Sequence, residues 1–122
     1  MHPSYLQLTD ELFSWLARSG NMAVTSTICM TELLVPGYRE GNRPRIDSFY
    51  SLLITCPNLV WSPATITVAD LAAQLRAAHR LKTPDALQAA TAMDSGASGF
   101  ITNDPVFKRV EQFETAVLDD LL

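Results

Sequence analysis

With 122 residues, 48% of them hydrophobic and 18% charged, the chain has the size and composition of a single domain, residues 1–122, able to bury a core without a disulfide or structural metal. A formal net charge of −4 excludes the broad basic footprint of non-specific nucleic-acid binding, so a nucleic-acid substrate would need a local basic rim. No charged start followed by an apolar run resembles a signal peptide. No apolar stretch approaches the roughly 20 residues that span a bilayer, so a soluble, cytoplasmic protein is expected, with no membrane partner.

Tyr5, Leu8, Leu12, Trp15 and Leu16 recur at helical spacing and predict an amphipathic helix over 4–18, ended by Ser19-Gly20-Asn21. Met22-Ala23-Val24-Thr25 is a short apolar run of the buried-strand kind. Ser26 or Thr27 can cap a helix from about Ile28, with Pro36-Gly37 kinking or ending it. Pro44 suits the first turn of a helix running to about Thr55, and Asn58-Leu59-Val60-Trp61 reads as a second strand. An Ala-rich helix follows from Ile66 to about His79. Thr83 as cap with Pro84 at the first helical position starts another, which continues through Met93 to Gly96. Gly99-Phe100-Ile101-Thr102 is a third strand, Asp104-Pro105 turns into a short helix, and Thr115-Ala116-Val117-Leu118 makes the last strand. Short strands alternating with helices predict an α/β fold with a parallel sheet covered on both faces.

In such sheets functional groups gather outside the carboxyl ends of strands and at the helix starts that follow. Asp104 lies just past a predicted strand, and Asp85 sits in a first helical turn 19 residues earlier, so an antiparallel helix and strand bring the two together. Each has a plainer reading: Asp in a first turn complements the helix dipole, and Asn-Asp-Pro is ordinary turn chemistry. Glu32, within Thr31-Glu32-Leu33-Leu34, is a carboxylate among hydrophobes that needs a partner or an ion. Three converging carboxylates repel unless a cation neutralises them, and hard oxygen ligands point to Mg²⁺ or Mn²⁺. Thr102 and Asn103 are placed to orient a metal water or a phosphate.

Other candidates carry less. Arg39, Arg43 and Arg45, then Arg76, Arg80 and Lys82, then Lys108 and Arg109, are possible rim cations whose plainer role is solvated surface. Cys29 and Cys56 lack metal-ligand spacing and read as buried thiols. His2 and His79 have no catalytic neighbour in sequence, Asp94 should face solvent, and there is neither a Gly-rich phosphate loop nor a Ser elbow.

Ala23-Val24-Thr25-Ser26, Thr31-Glu32-Leu33-Leu34, Leu81-Lys82-Thr83-Pro84-Asp85-Ala86 and Phe100-Ile101-Thr102-Asn103-Asp104, in this order, resemble a PIN domain, with VapC-type toxins of toxin–antitoxin pairs as the nearest group. The resemblance implies a three-layer sandwich with a short parallel sheet flanked by helices. It also implies an Mg²⁺- or Mn²⁺-dependent endoribonuclease, commonly a homodimer, that cuts RNA and is restrained by a cognate antitoxin. Of the family's four acids, Glu32, Asp85 and Asp104 match the second, third and fourth. The first is missing: family members open with an apolar strand ending in Asp, whereas this chain opens with Met1-His2-Pro3-Ser4, and Asp10 and Glu11 lie inside a helix. The missing strand is central in the family's sheet. Its loss implies a truncated or misassigned start, a donated strand, re-pairing of the flanking strands, or a marginal fold. Weakened or lost activity is expected, and the alternative is a non-catalytic PIN-like module that keeps a dimer or antitoxin surface.

Overall fold

The computed structural model describes residues 3–121. Helix α1 spans Pro3–Leu16, strand β1 Ala23–Ser26, α2 Thr27–Glu40, α3 Arg43–Ile54, β2 Leu59–Ser62, α4 Ile66–His79, α5 Thr83–Asp94, β3 Gly99–Thr102 and β4 Glu114–Val117. Two 3-10 helices, Pro105–Arg109 and Leu118–Leu121, flank β4. The predicted order of elements is the observed one, and the Gly99–Thr102 strand matches to the residue.

Local chemistry explains most boundaries. Ser26 caps α2 by accepting a hydrogen bond from the Ile28 N–H at 3.2 Å, Asn42 caps α3 through the Arg45 N–H at 3.1 Å, and Thr65 caps α4 through the Val68 N–H at 3.2 Å. Two expectations are settled. Of the alternatives that Pro36-Gly37 kinks or ends α2, the ending does not occur: the helix continues to Glu40 and ends on Gly41 at φ 64°. Pro36 lacks the N–H that would bond the Glu32 carbonyl, a local loss, while Gly37 is buried against α3 and rewards continuation. A Cβ at Gly37 would lie 2.8 Å from Ile46 Cγ1, so the close approach of α2 to α3 requires glycine there. The second is at α5, where Lys82 takes the cap position without a side-chain bond and Thr83 is already helical.

The parallel strands form two separate pairs rather than one sheet. Ala23, Val24, Thr25 and Ser26 of β1 lie opposite Leu59, Val60, Trp61 and Ser62 of β2. Gly99, Phe100, Ile101 and Thr102 of β3 lie opposite Glu114, Thr115, Ala116 and Val117 of β4. Re-pairing of the flanking strands, one of the ways to compensate for a missing central strand, does not occur: β1 and β3 are not bonded to each other.

The core belongs to α4, α5 and the β3–β4 side. Val68, Ala72, Leu75, Leu81, Ala86, Ala89, Ala90, Phe107 and Val110 are all buried, and the Phe100 ring lies 4.6 Å from Phe107 and 4.9 Å from Phe113 by centroid. Alanines on α5 let α4 approach closely enough to seal this cluster. At the other end, Asn58 adopts φ 62°; its side-chain amide donates to the carbonyls of Leu16 at 2.7 Å and Arg18 at 3.2 Å, and its own carbonyl accepts from the Ala23 N–H at 3.0 Å. Cys29 and Cys56 are half-buried rather than buried, because neither lies on the sealed α4–α5 side. Among the described residues no helix is long and apolar enough to cross a membrane.

Candidate active site

Pro84 in the first turn of α5 fixes the helix start and holds Asp85 on its opening turn, half-buried. Asp104 follows the last residues of β3 and caps the 3-10 helix, its Oδ1 accepting from the Val106 N–H at 2.9 Å. Asp104 lies near enough to Asp85 for its charge to act on it. Their proximity is visible in the electrostatics: desolvation by burial raises the Asp85 carboxyl above the usual carboxylate range, Asp104 raises it further, and Lys82 opposes both.

The supporting residues shape the turn between them. The Thr102 hydroxyl accepts from the Asp104 N–H at 3.1 Å, and Asn103 Oδ1 accepts from the Asp119 N–H at 3.2 Å. Thr102 therefore sets the backbone that presents Asp104, while Asn103 ties that turn to the chain after β4. Glu32 is exposed on α2, and its Oε2 accepts from Gln88 Nε2 at 3.1 Å. Gln88 lies three residues after Asp85, hence on the same face of α5, so Glu32 reaches the helix one turn from the acid pair. Gln88 escaped the sequence reading; the signal available was its i+3 spacing from Asp85.

Among the described residues no group of three or more His, Cys, Asp or Glu side chains is close enough to hold an ion. The structure joins Asp85 with Asp104 and hands Glu32 to an amide. The donor chemistry of the pair still suits a hard divalent cation: the groups are oxygen donors, and a cation would relieve the repulsion that lifts Asp85.

The cations predicted around the site are mostly engaged elsewhere. Arg43 pairs with Asp47 at 3.1 Å, Arg45 with Glu40 at 3.0 Å while stacking over Phe49, and Lys108 with Asp120 at 2.7 Å. Arg76 donates to the Leu81 carbonyl and Arg109 to the His79 carbonyl. Lys82 is the cation that Asp85 feels. Asp94 is exposed and His79 half-buried, as expected of bystanders, and His2 lies outside the described residues.

The profile of the PIN domain family matches residues 7–112, most of the chain. The chain belongs to the PIN domain family. Its PIN fold is similar to a chain of the VapBC2 complex of Rickettsia felis bound to a DNA fragment from its promoter, with a TM-score of 0.70, 20% identity, and 95% of this chain and 86% of that one covered. It is also similar to a chain of a toxin–antitoxin complex from Klebsiella pneumoniae, with a TM-score of 0.65, 20% identity, and 93% and 84% covered. No curated protein sequence matches the chain. The family assignment accounts for helices layered on short parallel strands.

Proposed function

We propose that this PIN-domain chain is a metal-dependent endoribonuclease of the VapC type, the toxin of a toxin–antitoxin pair, with Asp85 and Asp104 as the principal ligands of Mg²⁺ or Mn²⁺ and Glu32 as the third acid. The observation that carries the reading is the Asp85–Asp104 pair, in which burial first and the neighbouring Asp104 charge second raise the Asp85 carboxyl within a PIN fold. A bound cation would supply water activation and charge neutralisation at a phosphodiester. Asp104 is preset for such a role by Thr102 and by its own bond to Val106. Glu32 would exchange its bond to Gln88 for the ion. Lys82, exposed beside Asp85, suits a phosphate oxygen.

An antitoxin partner is supported by the similar folds having been solved as toxin–antitoxin complexes, and by an apolar groove of about 830 Å³ between α2 and α3. Met30, Leu34, Tyr38, Tyr50, Ile54 and Trp61 line it, the lining expected for an amphipathic helix laid in a groove. A homodimer and a cytoplasmic location belong to the same reading.

The decisive measurement is cleavage of RNA with Mg²⁺ or Mn²⁺ by the chain and by Asp85→Asn. Loss of at least about tenfold in the variant is expected, as for removal of a group acting on the transition state. Equal cleavage by both would remove Asp85 from the site.

A second reading is favoured by one observation, the lack of a three-carboxylate group among the described residues. On it the chain is a non-catalytic PIN module that keeps the antitoxin surface. Mg²⁺-dependent cleavage abolished by Asp104→Ala would exclude it.

A further inference from the structure

The cations of this acidic chain are not all spent on carboxylates. Arg43 and Arg45 are held by Asp47 and Glu40, and Lys108 by Asp120. Arg76, Arg80, Lys82 and Arg109 are exposed and, among the described residues, form no ion pair. These four converge on the connection between α4 and α5. Arg76 Nε donates to the Leu81 carbonyl at 3.0 Å, and Arg109 Nη1 to the His79 carbonyl at 3.4 Å. A bond to a neutral carbonyl leaves the guanidinium charge in place. Leu81 is buried, so it pins the connection to the core while Arg80 and Lys82 on either side of it stay in solvent. From Arg76 to Lys82 the chain has three Lys or Arg residues and no Asp or Glu.

Arg80 carries a second, independent signal. It closes α4 in the left-handed region at φ 56°, where glycine is the usual residue and a Cβ is strained. The other non-glycine residue at positive φ, Asn58, is explained by its side-chain bonds to the end of α1. Among the described residues the Arg80 guanidinium has no hydrogen-bond partner. A long charged side chain thus stands where backbone physics asks for none, and strain of this kind collects at functional sites.

Charge around the acid pair is lopsided. Lys82 lies close enough to Asp85 to act on its carboxyl. The stretch bonded to the Asp104 turn through Asn103 is acidic, with Asp119 and Asp120. A polyanion is therefore drawn to the α4–α5 connection and repelled from the stretch after β4.

We propose that the α4–α5 connection is a phosphate track, on which Arg76, Arg80, Lys82 and Arg109 hold the backbone of a single-stranded RNA leading to the acid pair. The choice of RNA rests on the nuclease reading above; the track adds the face by which that substrate reaches the site. One strand fits better than a duplex, because the cations occupy a single short connection and the stretch after β4 is acidic. The carbonyl bonds of Arg76 and Arg109 fix the connection before the RNA arrives, which lowers the ordering cost of binding. Contacts of this type position the strand and carry no base preference.

The test is binding of a labelled short oligouridylate to the full chain in EDTA as a function of NaCl concentration, so that cleavage plays no part. Each phosphate contact contributes about 0.7 to the slope of log Kd against log salt, so the double variant Arg80→Gly, Lys82→Gln is expected to lose about 1.4 of that slope. Arg80→Gly alone should weaken binding without lowering Tm, since glycine relieves the backbone. Arg80→Lys, which keeps the charge, should keep the slope. Arg43→Gln, which removes a cation already paired with Asp47, should leave it unchanged. An unchanged slope in the double variant, an equal loss in Arg43→Gln, or no binding by the parent overturns the proposal. Tighter binding of polyglutamate than of the RNA also overturns it, in favour of an acidic protein partner. The nuclease reading fails separately: the expected slope loss without cleavage in Mg²⁺ or Mn²⁺ counts against that reading alone, and cleavage with an unaffected slope against the track alone.

Discussion

The α4–α5 side of the molecule and the α2–α3 side are built to different standards of closure. Around α4 and α5, Val68, Ala86, Ala89 and Ala90 are wholly buried, and Phe107, Val110 and Phe113 close the bottom of the cluster. Around α2 and α3, Ile46 is the hydrophobic residue that reaches full burial among those described, while Tyr38, Tyr50, Leu52 and Ile54 are each about half-exposed or more. The first region is a core and the second is an open apolar surface. Tight packing is thus confined to one part of this small domain, and Asp85 opens a helix that belongs to that part.

This asymmetry is open to attack by mutation. Phe107→Ala should be the costliest change, about 3–5 kcal/mol from lost burial and the cavity left behind, read from urea or thermal unfolding. Gly37→Ala comes next: overpacking against Ile46 costs about 1–3 kcal/mol and a helix-propensity gain of roughly 0.5–1 kcal/mol returns part of it. A neutral or stabilised Gly37→Ala would show that α2 and α3 are free to move apart. Ile54→Ser should shift stability by no more than about 0.5 kcal/mol in the isolated chain, yet weaken any partner that fills the α2–α3 groove. Should Ile54→Ser match Phe107→Ala in unfolding cost, the two regions would be one core and the comparison would fail.

The smallest effect is the pH dependence contributed by Asp85. Its folded-state carboxyl is raised, so the folded chain holds the proton more tightly than the unfolded chain does. The stability this contributes is fully present below the unfolded carboxylate value and is lost as pH rises through the folded one. Thermal unfolding from acid to neutral pH should therefore show a flatter profile in Asp85→Asn than in the parent, and at neutral pH the variant should be slightly the more stable. Added Mg²⁺ should raise the parent's Tm at neutral pH and leave Asp85→Asn unmoved, if that carboxylate holds the ion.

Much of this was legible in the residues themselves. Helical periodicity, the Ser26 and Thr65 caps and the proline at the start of α5 are local signals, and the elements they predict are where local physics puts them. The passage of α2 through Pro36 was not legible, because it is settled by Gly37 meeting Ile46 nine residues later, a tertiary contact with no local trace. The Asp85–Asp104 approach could be foreseen, since one acid stands at a helix start and the other just past a strand. The bond between Glu32 and Gln88 could not, being a side-chain choice between elements 56 residues apart. Separation into two strand pairs was foreshadowed by the missing central strand, though whether the flanking edges would close on each other had no local signal.

Asn58 has a consequence for the way the molecule comes apart. One amide side chain bonds the carbonyls at the end of α1, 40 and 42 residues earlier in the chain. Such a fastening is made late in folding, after a long loop has closed, and released early in unfolding. Helix α1 should therefore leave as a unit while the α4–α5 core stays intact. Its departure would free the chain around exposed Arg18 for trypsin. Limited proteolysis would thus read out the release of α1, and Asn58→Ala should hasten the first cut without changing the survival of the remainder.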